Sequence, residues 1–172
     1  MNARVQQALA DYDGKHVDVL EGVLDVTLSA ALYKDVLKKV TSDDPKVADA
    51  ATWLLRAWVM NGRRLSDDEL QAWLDVAKTS DQWAPTLHFL QTLASISLPE
   101  TLEADIYDFC QGHTSHKNKM VRAWAFNGLS LIALQNGSYL DKTRQSLEKG
   151  LKDTSPAVAA RVKRSVKRIS DD

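Results

Sequence analysis

The side chains with the most distinctive chemistry in this chain form a short cluster of Cys110, His113 and His116 at three-residue spacing. Thiolate and imidazole groups are preferred zinc ligands, but a structural zinc site needs four ligands and a catalytic site needs three held by supporting hydrogen bonds. The pattern therefore favours a buried cysteine followed by a polar loop. We predict no metal and no cofactor, with these three residues as the alternative metal site.

Residues that could perform acid–base or nucleophilic catalysis are sparse. His88 has no Asp, Glu, Ser or Cys at a helical-neighbour spacing that could activate it. Thr92 follows one turn later, but threonine is a poor nucleophile without a dedicated base. No Gly-rich phosphate loop, nucleophile elbow or His-Glu zinc motif occurs in the sequence. The sequence therefore favours a protein that is not an enzyme.

Basic residues are concentrated near the end of the sequence, where five Lys and Arg residues lie between Arg161 and Arg168. Val158, Val162 and Val166 form an apolar seam on the same predicted helix. A cationic surface helix can contact phosphates, but it also suits the last helix of a repeat array, which needs a polar outer face. We expect this capping role.

The aromatic residues allow two interpretations, of which core packing is the better one. Tryptophan rings can stack on nucleic-acid bases. However, Trp53, Trp73 and Trp124 lie within or beside apolar helical stripes, where large rings fill the space between helices.

The elements that position these residues repeat along the chain. Short polar breaks occur at Asp44, Asp81, Asn118 and Ser155, each 37 residues after the previous one. Each break opens a segment whose apolar residues recur at helical spacing, with the copy after Asp81 the weakest. Asp, Asn or Ser at the break can cap the first free amides of a helix. Further helices are predicted at 29–40, 66–78, 99–111 and 139–152, and two more at 3–10 and 16–26.

The segment from Asp44 to Ala51 has the pattern Asp-Pro-x-Val-x-x-Ala-Ala, and Val121-Arg122 is followed by Ala125 and Leu129. This pattern resembles the second helix of HEAT-like (armadillo-type) repeats. The resemblance implies an all-α fold, a right-handed α–α superhelix or solenoid of about four helix pairs with extra N-terminal helices. An irregular helical bundle is the alternative. We expect a single domain over 1–172, with repeats at 29–62, 66–96, 99–135 and 139–170.

In a HEAT-like stack, the second helices of successive pairs expose one row of side chains on the concave face. Projection from the leading valines selects a row that contains cations, hydroxyls, one imidazole and one aromatic ring, but no carboxylate. Its predicted members are Thr52, Arg56, His88, Thr92, Arg122, Phe126, Ser130, Lys163 and Lys167.

These features predict a non-enzymatic scaffold that presents a concave, mildly basic surface to a protein segment, which would be acidic. The alternative is a nucleic-acid-binding protein or an enzyme similar to HEAT-like alkylbase DNA glycosylases, which need a carboxylate near the lesion. Asp49 and Asp75 are the nearby carboxylates, and neither is predicted to point inward. With 44% hydrophobic residues, a single cysteine, no signal sequence and no membrane-spanning segment, we expect a globular cytoplasmic protein without membrane insertion.

Overall fold

The computed structural model describes residues 1–171, and in this range the chain is all-helical and contains no strand. The α-helices are α1 (Ala3–Asp11), α2 (Asp18–Glu21), α3 (Ala30–Leu37), α4 (Pro45–Met60), α5 (Asp67–Thr79), α6 (Trp83–Thr92), α7 (Glu100–His113), α8 (Lys119–Gln135), α9 (Leu140–Gly150) and α10 (Pro156–Ser170). Short 3₁₀ turns occupy Lys38–Thr41, Leu93–Ser95 and Gly137–Tyr139. The predicted all-α class is confirmed, while the predicted domain end, residue 172, lies outside the described range.

Polar residues at the predicted breaks explain where several helices begin. The Asp44 side chain accepts a hydrogen bond from the backbone amide of Lys46, and Asn118 does the same for Met120. At the start of α5, Ser66 and Glu69 form a reciprocal capping box. These bonds satisfy amides that have no partner within the helix, and each cap contributes about 1 kcal/mol.

Three expectations about local structure differ from what is observed. Asp81 does not cap α6, whose N-cap residue is Gln82 and which has no side-chain cap. Ser155 makes no side-chain cap, and its own amide donates to the Asp153 carboxylate at 2.8 Å. The helix predicted over 16–26 is reduced to the four residues of α2. After Glu21 the backbone hydrogen bonds connect residues three positions apart, for example from the Val23 amide to the Leu20 carbonyl. This segment therefore continues as turns and not as an α-helix.

The described chain divides into two compact units, residues 1–95 and residues from 96 onward. In the first unit α3 packs on α4, α5 packs on α6, and α4 lies along α6. Trp73 of α5 is fully buried and meets Phe89 of α6 edge-on, with ring centroids 5.7 Å apart. Leu54 and Leu55 of α4 are also fully buried, and each such side chain contributes about 1.5–3 kcal/mol of hydrophobic stabilisation.

The second unit has the same internal arrangement. Here α7 packs on α8, α9 packs on α10, and α8 lies along α10. Val121 and Val158, which lead the third and fourth repeated segments, are fully buried. Val47, which leads the first, is only half-buried.

Hydrogen bonds in both units connect residues about one repeat apart. In the first unit the Tyr12 hydroxyl donates to Asp49, 37 residues later, and the Tyr33 hydroxyl donates to the Glu69 carbonyl, 36 residues later. In the second unit the amide of Leu98 donates to the Gln135 side chain, again 37 residues later. The Tyr33–Glu69 bond links consecutive helix pairs, whereas the Leu98–Gln135 bond joins the two ends of a single pair, α7 and α8.

Among the described residues, no helix combines the length and the apolar composition that crossing a bilayer would require.

Candidate functional site

The nine residues of the projected row differ widely in exposure. Thr52, His88, Thr92, Phe126 and Ser130 are buried. Arg56 and Arg122 are half-buried, and Lys163 and Lys167 are exposed. The expected exposure is therefore not found for the first five residues. The physical reason is that α4 is covered by α1 and α3 as well as α6, and α8 by α7, α9 and α10, which leaves only a narrow open strip on each helix.

On α4 the open strip consists of the half-buried Asp49, Trp53 and Arg56. These residues are spaced by four and three positions, so they lie on one helical face. Thr52 instead faces α6, where its hydroxyl oxygen is 2.9 Å from Nδ1 of His88. The projected row therefore contains two residues that contact each other, Thr52 and His88, whereas the Asp49 carboxylate, which lies outside that row, is 3.8 Å from the same imidazole.

The Thr52–His88 pair belongs to a small polar cluster in the first unit. The Thr52 hydroxyl also lies within hydrogen-bonding distance of the backbone carbonyls of Ala48 and Asp49, at 3.1 and 3.0 Å. Thr92 donates to the backbone carbonyl of His88 at 2.8 Å. Because both side chains are buried, the Thr52 contact fixes the position of the imidazole ring, whereas the Thr92 hydroxyl bonds to the backbone of α6.

Burial controls the charge of this cluster. Desolvation, with a further contribution from the positive charge of Arg56, lowers the pKa of His88 to about 3. The Asp49 carboxylate is 3.8 Å from Nδ1 of His88 but accepts its hydrogen bond from Tyr12, at 3.2 Å. Burial also raises the pKa of Asp49, and Tyr12, which is itself desolvated, has its pKa raised to about 12. At neutral pH His88 is uncharged, so the 3.8 Å approach to Asp49 is not an ion pair.

Arg56 is the one cation of this cluster. Its Nε–H group is buried without a hydrogen-bond partner, and burial lowers the pKa of the guanidinium. An unsatisfied buried donor costs about 1–3 kcal/mol. Arg56 forms no ion pair within residues 1–171. The cluster contains no activated nucleophile, but it offers an uncompensated cation next to a neutral imidazole.

In the second unit Arg122 has a structural partner. Its guanidinium donates two hydrogen bonds to the Asp153 carboxylate, at 2.7 and 2.9 Å, and one to the backbone carbonyl of His116, at 2.9 Å. The hydrogen bonds and charge of Arg122 lower the pKa of Asp153. Arg122 thus ties α8 to the loop before α10, and this bonding leaves it little capacity for a partner.

A row of three arginines lies where α10 meets α8. The Arg161 guanidinium is 3.9 Å from the centroid of the Trp124 ring. Arg168 donates long hydrogen bonds to the side chains of Asn127 and Ser130, at 3.4 and 3.5 Å. Arg164 lies between them on the same helical face. We call these three arginines, with the α8 residues that contact them, the arginine edge.

The cations of the arginine edge lack a counter-ion within residues 1–171. No carboxylate in the described part of the chain pairs with Arg161, Arg164 or Arg168. Desolvation and the charges of Arg164 and Arg168 lower the pKa of Arg161, which means that these like charges are close enough to repel. Asn127 and Ser130 are buried, at 2% and 0% exposure, so the edge has a fixed polar floor.

Phe126, the aromatic member of the projected row, fills space instead of lining a surface. It is 4% exposed, and its ring lies directly against the backbone of Gly150 at the end of α9. A Cβ atom at Gly150 would come within 2.8 Å of the ring.

A polar depression of about 540 Å³ in the second unit is lined by Glu103, Gln135 and Tyr139, among others. The Glu103 carboxylate is buried and accepts hydrogen bonds from Gln135 and Asn136, at 2.7 and 2.8 Å. Glu103 therefore holds the end of α8 against α7, which is a structural role.

The candidate metal ligands do not converge. Cys110 is completely buried, and burial raises the pKa of its thiol. The Nδ1 atom of His113 contacts the Phe109 carbonyl at 2.7 Å, and that of His116 accepts from the Asn118 amide at 3.0 Å. Across the described chain no three His, Cys, Asp or Glu residues are grouped to hold a metal ion.

Sequence reasoning named Asp49 only as a nearby carboxylate not predicted to point inward, and it missed three other residues of these clusters: Tyr12, Asn127 and Asp153. Tyr12 and Asp49 are 37 residues apart, which is the repeat period, so a search for polar pairs at that spacing could have found them. Asp153 lies in the polar break before α10, where its charge was a visible signal.

No family model matches this chain, and neither a curated protein nor a solved structure matches it at a significant level.

Proposed function

We propose that this chain is a non-enzymatic binding scaffold, a HEAT-like superhelix of four helix pairs, which presents a concave, mildly basic surface to a segment of a partner protein. The repeat period of 37 residues and the hydrogen bonds at the same separation support the repeat architecture. Within the second unit, Arg161 contacts Trp124, its equivalent one repeat earlier.

The observation that carries the proposal is the arginine edge. Three guanidinium groups stand on one helical face, where no carboxylate of the described residues pairs with them, and Trp124, Asn127 and Ser130 hold two of them in place. Such an arrangement is unfavourable in isolation because like charges repel. An acidic partner would remove that repulsion and form charge-assisted, bidentate hydrogen bonds.

The spacing of the edge favours an extended segment. Arg161 and Arg168 are separated by seven residues, or about 10 Å along the helix axis. In an extended peptide, side chains on one face repeat about every 6.8 Å. Two or three Asp or Glu residues at alternate positions would therefore match the arginine edge. The partner class that we propose is an acidic, extended protein segment.

The test is a fluorescence anisotropy titration with a labelled peptide of alternating Glu and Ser residues. The triple variant Arg161→Gln, Arg164→Gln and Arg168→Gln is expected to weaken binding at least about tenfold. The matched control, Lys142→Gln, Arg144→Gln and Lys149→Gln, removes the same charge from exposed positions of α9 and should bind like the wild type. Equal binding by the two variants, or no binding by the wild type, would reject the proposal.

A second candidate function has one specific observation in its favour. Similarity to HEAT-like alkylbase DNA glycosylases requires a carboxylate, and Asp49 lies on the same open strip of α4 as Trp53 and Arg56. The test is release of N-methylated purines from duplex DNA by the wild type and by Asp49→Asn. Release that depends on Asp49 would support the enzyme, and a titration of plain duplex DNA at several salt concentrations would detect binding alone.

A further inference from the structure

Glu103, in α7 of the second unit, is a buried carboxylate with hydrogen bonds that are typical of the ionised form. It is 4% exposed. The Leu98 amide donates to the side-chain oxygen of Gln135 at 3.2 Å, which orients that side chain. The Ser138 amide orients Asn136 in the same way, at 3.1 Å. The NH₂ groups of both side chains therefore face Glu103 and donate to its two oxygens, at 2.7 and 2.8 Å. Two accepting oxygens are the pattern of an ionised carboxylate.

The negative charge of Glu103 has no positive partner among the described residues. Its two amide donors are neutral, and it forms no ion pair with a Lys, Arg or His residue in the range 1–171. Carboxylates are almost never buried to this extent without a cation, because removal of a charge from water is costly. The hydrogen bonds that hold α8 against α7 thus leave a charge that a ligand could neutralise.

A ligand can reach Glu103 because this residue lines the polar depression of about 540 Å³ in the second unit. The lining also contains Glu100, an exposed carboxylate one turn earlier on α7, and it contains no Lys, Arg or His residue. The half-buried Tyr139 lines the same depression, and its ring packs against that of Tyr107 with centroids 4.6 Å apart. The depression therefore combines two carboxylates with an aromatic ring that is held in place.

We propose that this depression binds the ammonium group of a ligand, either a free amine or a lysine side chain. Glu103 and Glu100 accept the N–H hydrogen bonds of the ammonium group and neutralise its charge. The Tyr139 ring adds cation–π attraction. A divalent metal ion is a poorer match, because it needs six or so oxygen ligands, and both oxygens of Glu103 already accept hydrogen bonds. The site uses no residue of the arginine edge, so it is independent of the proposed function.

The experiment is an NMR titration of the full chain labelled with ¹⁵N. It follows the side-chain NH₂ signals of Gln135 and Asn136 and the ring protons of Tyr139. Butylammonium and Nα-acetyl-lysine methylamide are titrated separately, with sodium chloride at matched ionic strength as the reference. We expect saturable shifts with the ammonium probes and not with sodium. Tighter binding of the lysine probe would identify a lysine side chain as the ligand, and equal or tighter binding of butylammonium would identify a free amine.

Two variants test the carboxylates. Glu100→Gln removes an exposed charge and should raise the apparent dissociation constant about threefold. Glu103→Gln should raise it at least about tenfold, because the buried charge is lost. The control is Glu148→Gln, which removes an exposed carboxylate of α9 outside the depression and should bind like the wild type.

Shifts that stay linear with both probes, or that sodium chloride reproduces, would overturn the site. Equal affinities of Glu100→Gln and Glu148→Gln would also overturn it. If Glu103→Gln does not fold, the comparison of Glu100→Gln with Glu148→Gln decides the question alone.

Discussion

The hydroxyl oxygen of Thr52 lies 2.9 Å from Nδ1 of His88, and both side chains are buried where α4 meets α6. The two residues are 36 positions apart, so this contact links consecutive helix pairs. Because an imidazole nitrogen buried without a partner is costly, the contact is expected to contribute to stability as well as to position the ring.

Replacement of Thr52 by valine should lower the free energy of unfolding by about 1–3 kcal/mol, because the shape is kept while the partner of His88 Nδ1 is lost. Thr92→Val is the control. The Thr92 hydroxyl donates only to a carbonyl of its own helix, so its loss should be nearly neutral. Urea denaturation measures the free energy of unfolding of both variants. Equal decreases in the two variants would argue against a stabilising role of the Thr52–His88 bond.

The stability of the protein should decrease on acidification because of His88. Burial, assisted by the charge of Arg56, lowers the pKa of His88 from 6.5 to about 3 in the folded state. The unfolded chain therefore binds a proton below pH 6.5 that the folded chain does not accept until about pH 3. Stability is unaffected above this window and falls within it, by up to about 1.4 kcal/mol per pH unit.

Asp49, also part of this cluster, acts in the opposite direction. Its raised pKa lowers the free energy of unfolding as the pH rises above 3.8, because the carboxyl group ionises first in the unfolded chain.

Urea denaturation between about pH 5 and 7.5 tests the pH range in which His88 is expected to change stability. His88→Gln should show a shallower pH dependence than the wild type, whereas the exposed His16→Gln should not. A slope unchanged by His88→Gln would contradict the prediction.

The Arg122–Asp153 pair should show a measurable coupling energy. Both side chains are mostly buried, with 16% and 12% of their surfaces exposed, and the contact is bidentate. A double-mutant cycle with Arg122→Gln and Asp153→Asn is expected to give a coupling energy of about 1–3 kcal/mol. The reference cycle uses Arg144 and Asp141, an exposed pair at 3.7 Å, which should give under about 0.5 kcal/mol. Similar values for both pairs would refute the structural role of Arg122.

A methyl group at Gly150 should destabilise the second unit. The added Cβ would lie 2.8 Å from the Phe126 ring, so the ring must move, at a cost of about 1–3 kcal/mol. Gly112→Ala in α7 is the control, because a Cβ there meets nothing within 4 Å and alanine favours helix. In thermal unfolding, the midpoint temperature should fall for Gly150→Ala and rise for Gly112→Ala. Phe126→Leu should reduce the effect of Gly150→Ala, and strict additivity of the two changes would contradict the proposed clash.

Most of the helical structure could be predicted because it depends on local chemistry. The polar breaks at Asp44 and Asn118 cap α4 and α8 as expected, and Ser66 and Glu69 form the predicted capping box. The one long helix that was predicted incorrectly, over 16–26, contains several β-branched residues and Gly22, which weaken helix formation.

The candidate sites were predicted only in part, because exposure depends on how each helix is rotated against its neighbours. The row projected from the valines contains Thr52 and His88, which the structure brings into contact. It also selected Phe126 and Ser130, which are buried, since a helix covered on three sides leaves only a narrow open strip. The assignment of the nine residues to a partner surface stays a prediction.

The sequence by itself determined that this protein is helical, that its helices recur every 37 residues and that its last helix is basic, because capping, periodicity and charge are properties of neighbours along the chain. Only the tertiary structure decided that Asp153 neutralises Arg122, while Arg56 and the three arginines of α10 form no ion pair within residues 1–171. The Arg122–Asp153 pair joins side chains 31 residues apart, whose approach is set by helix packing and not by any local pattern.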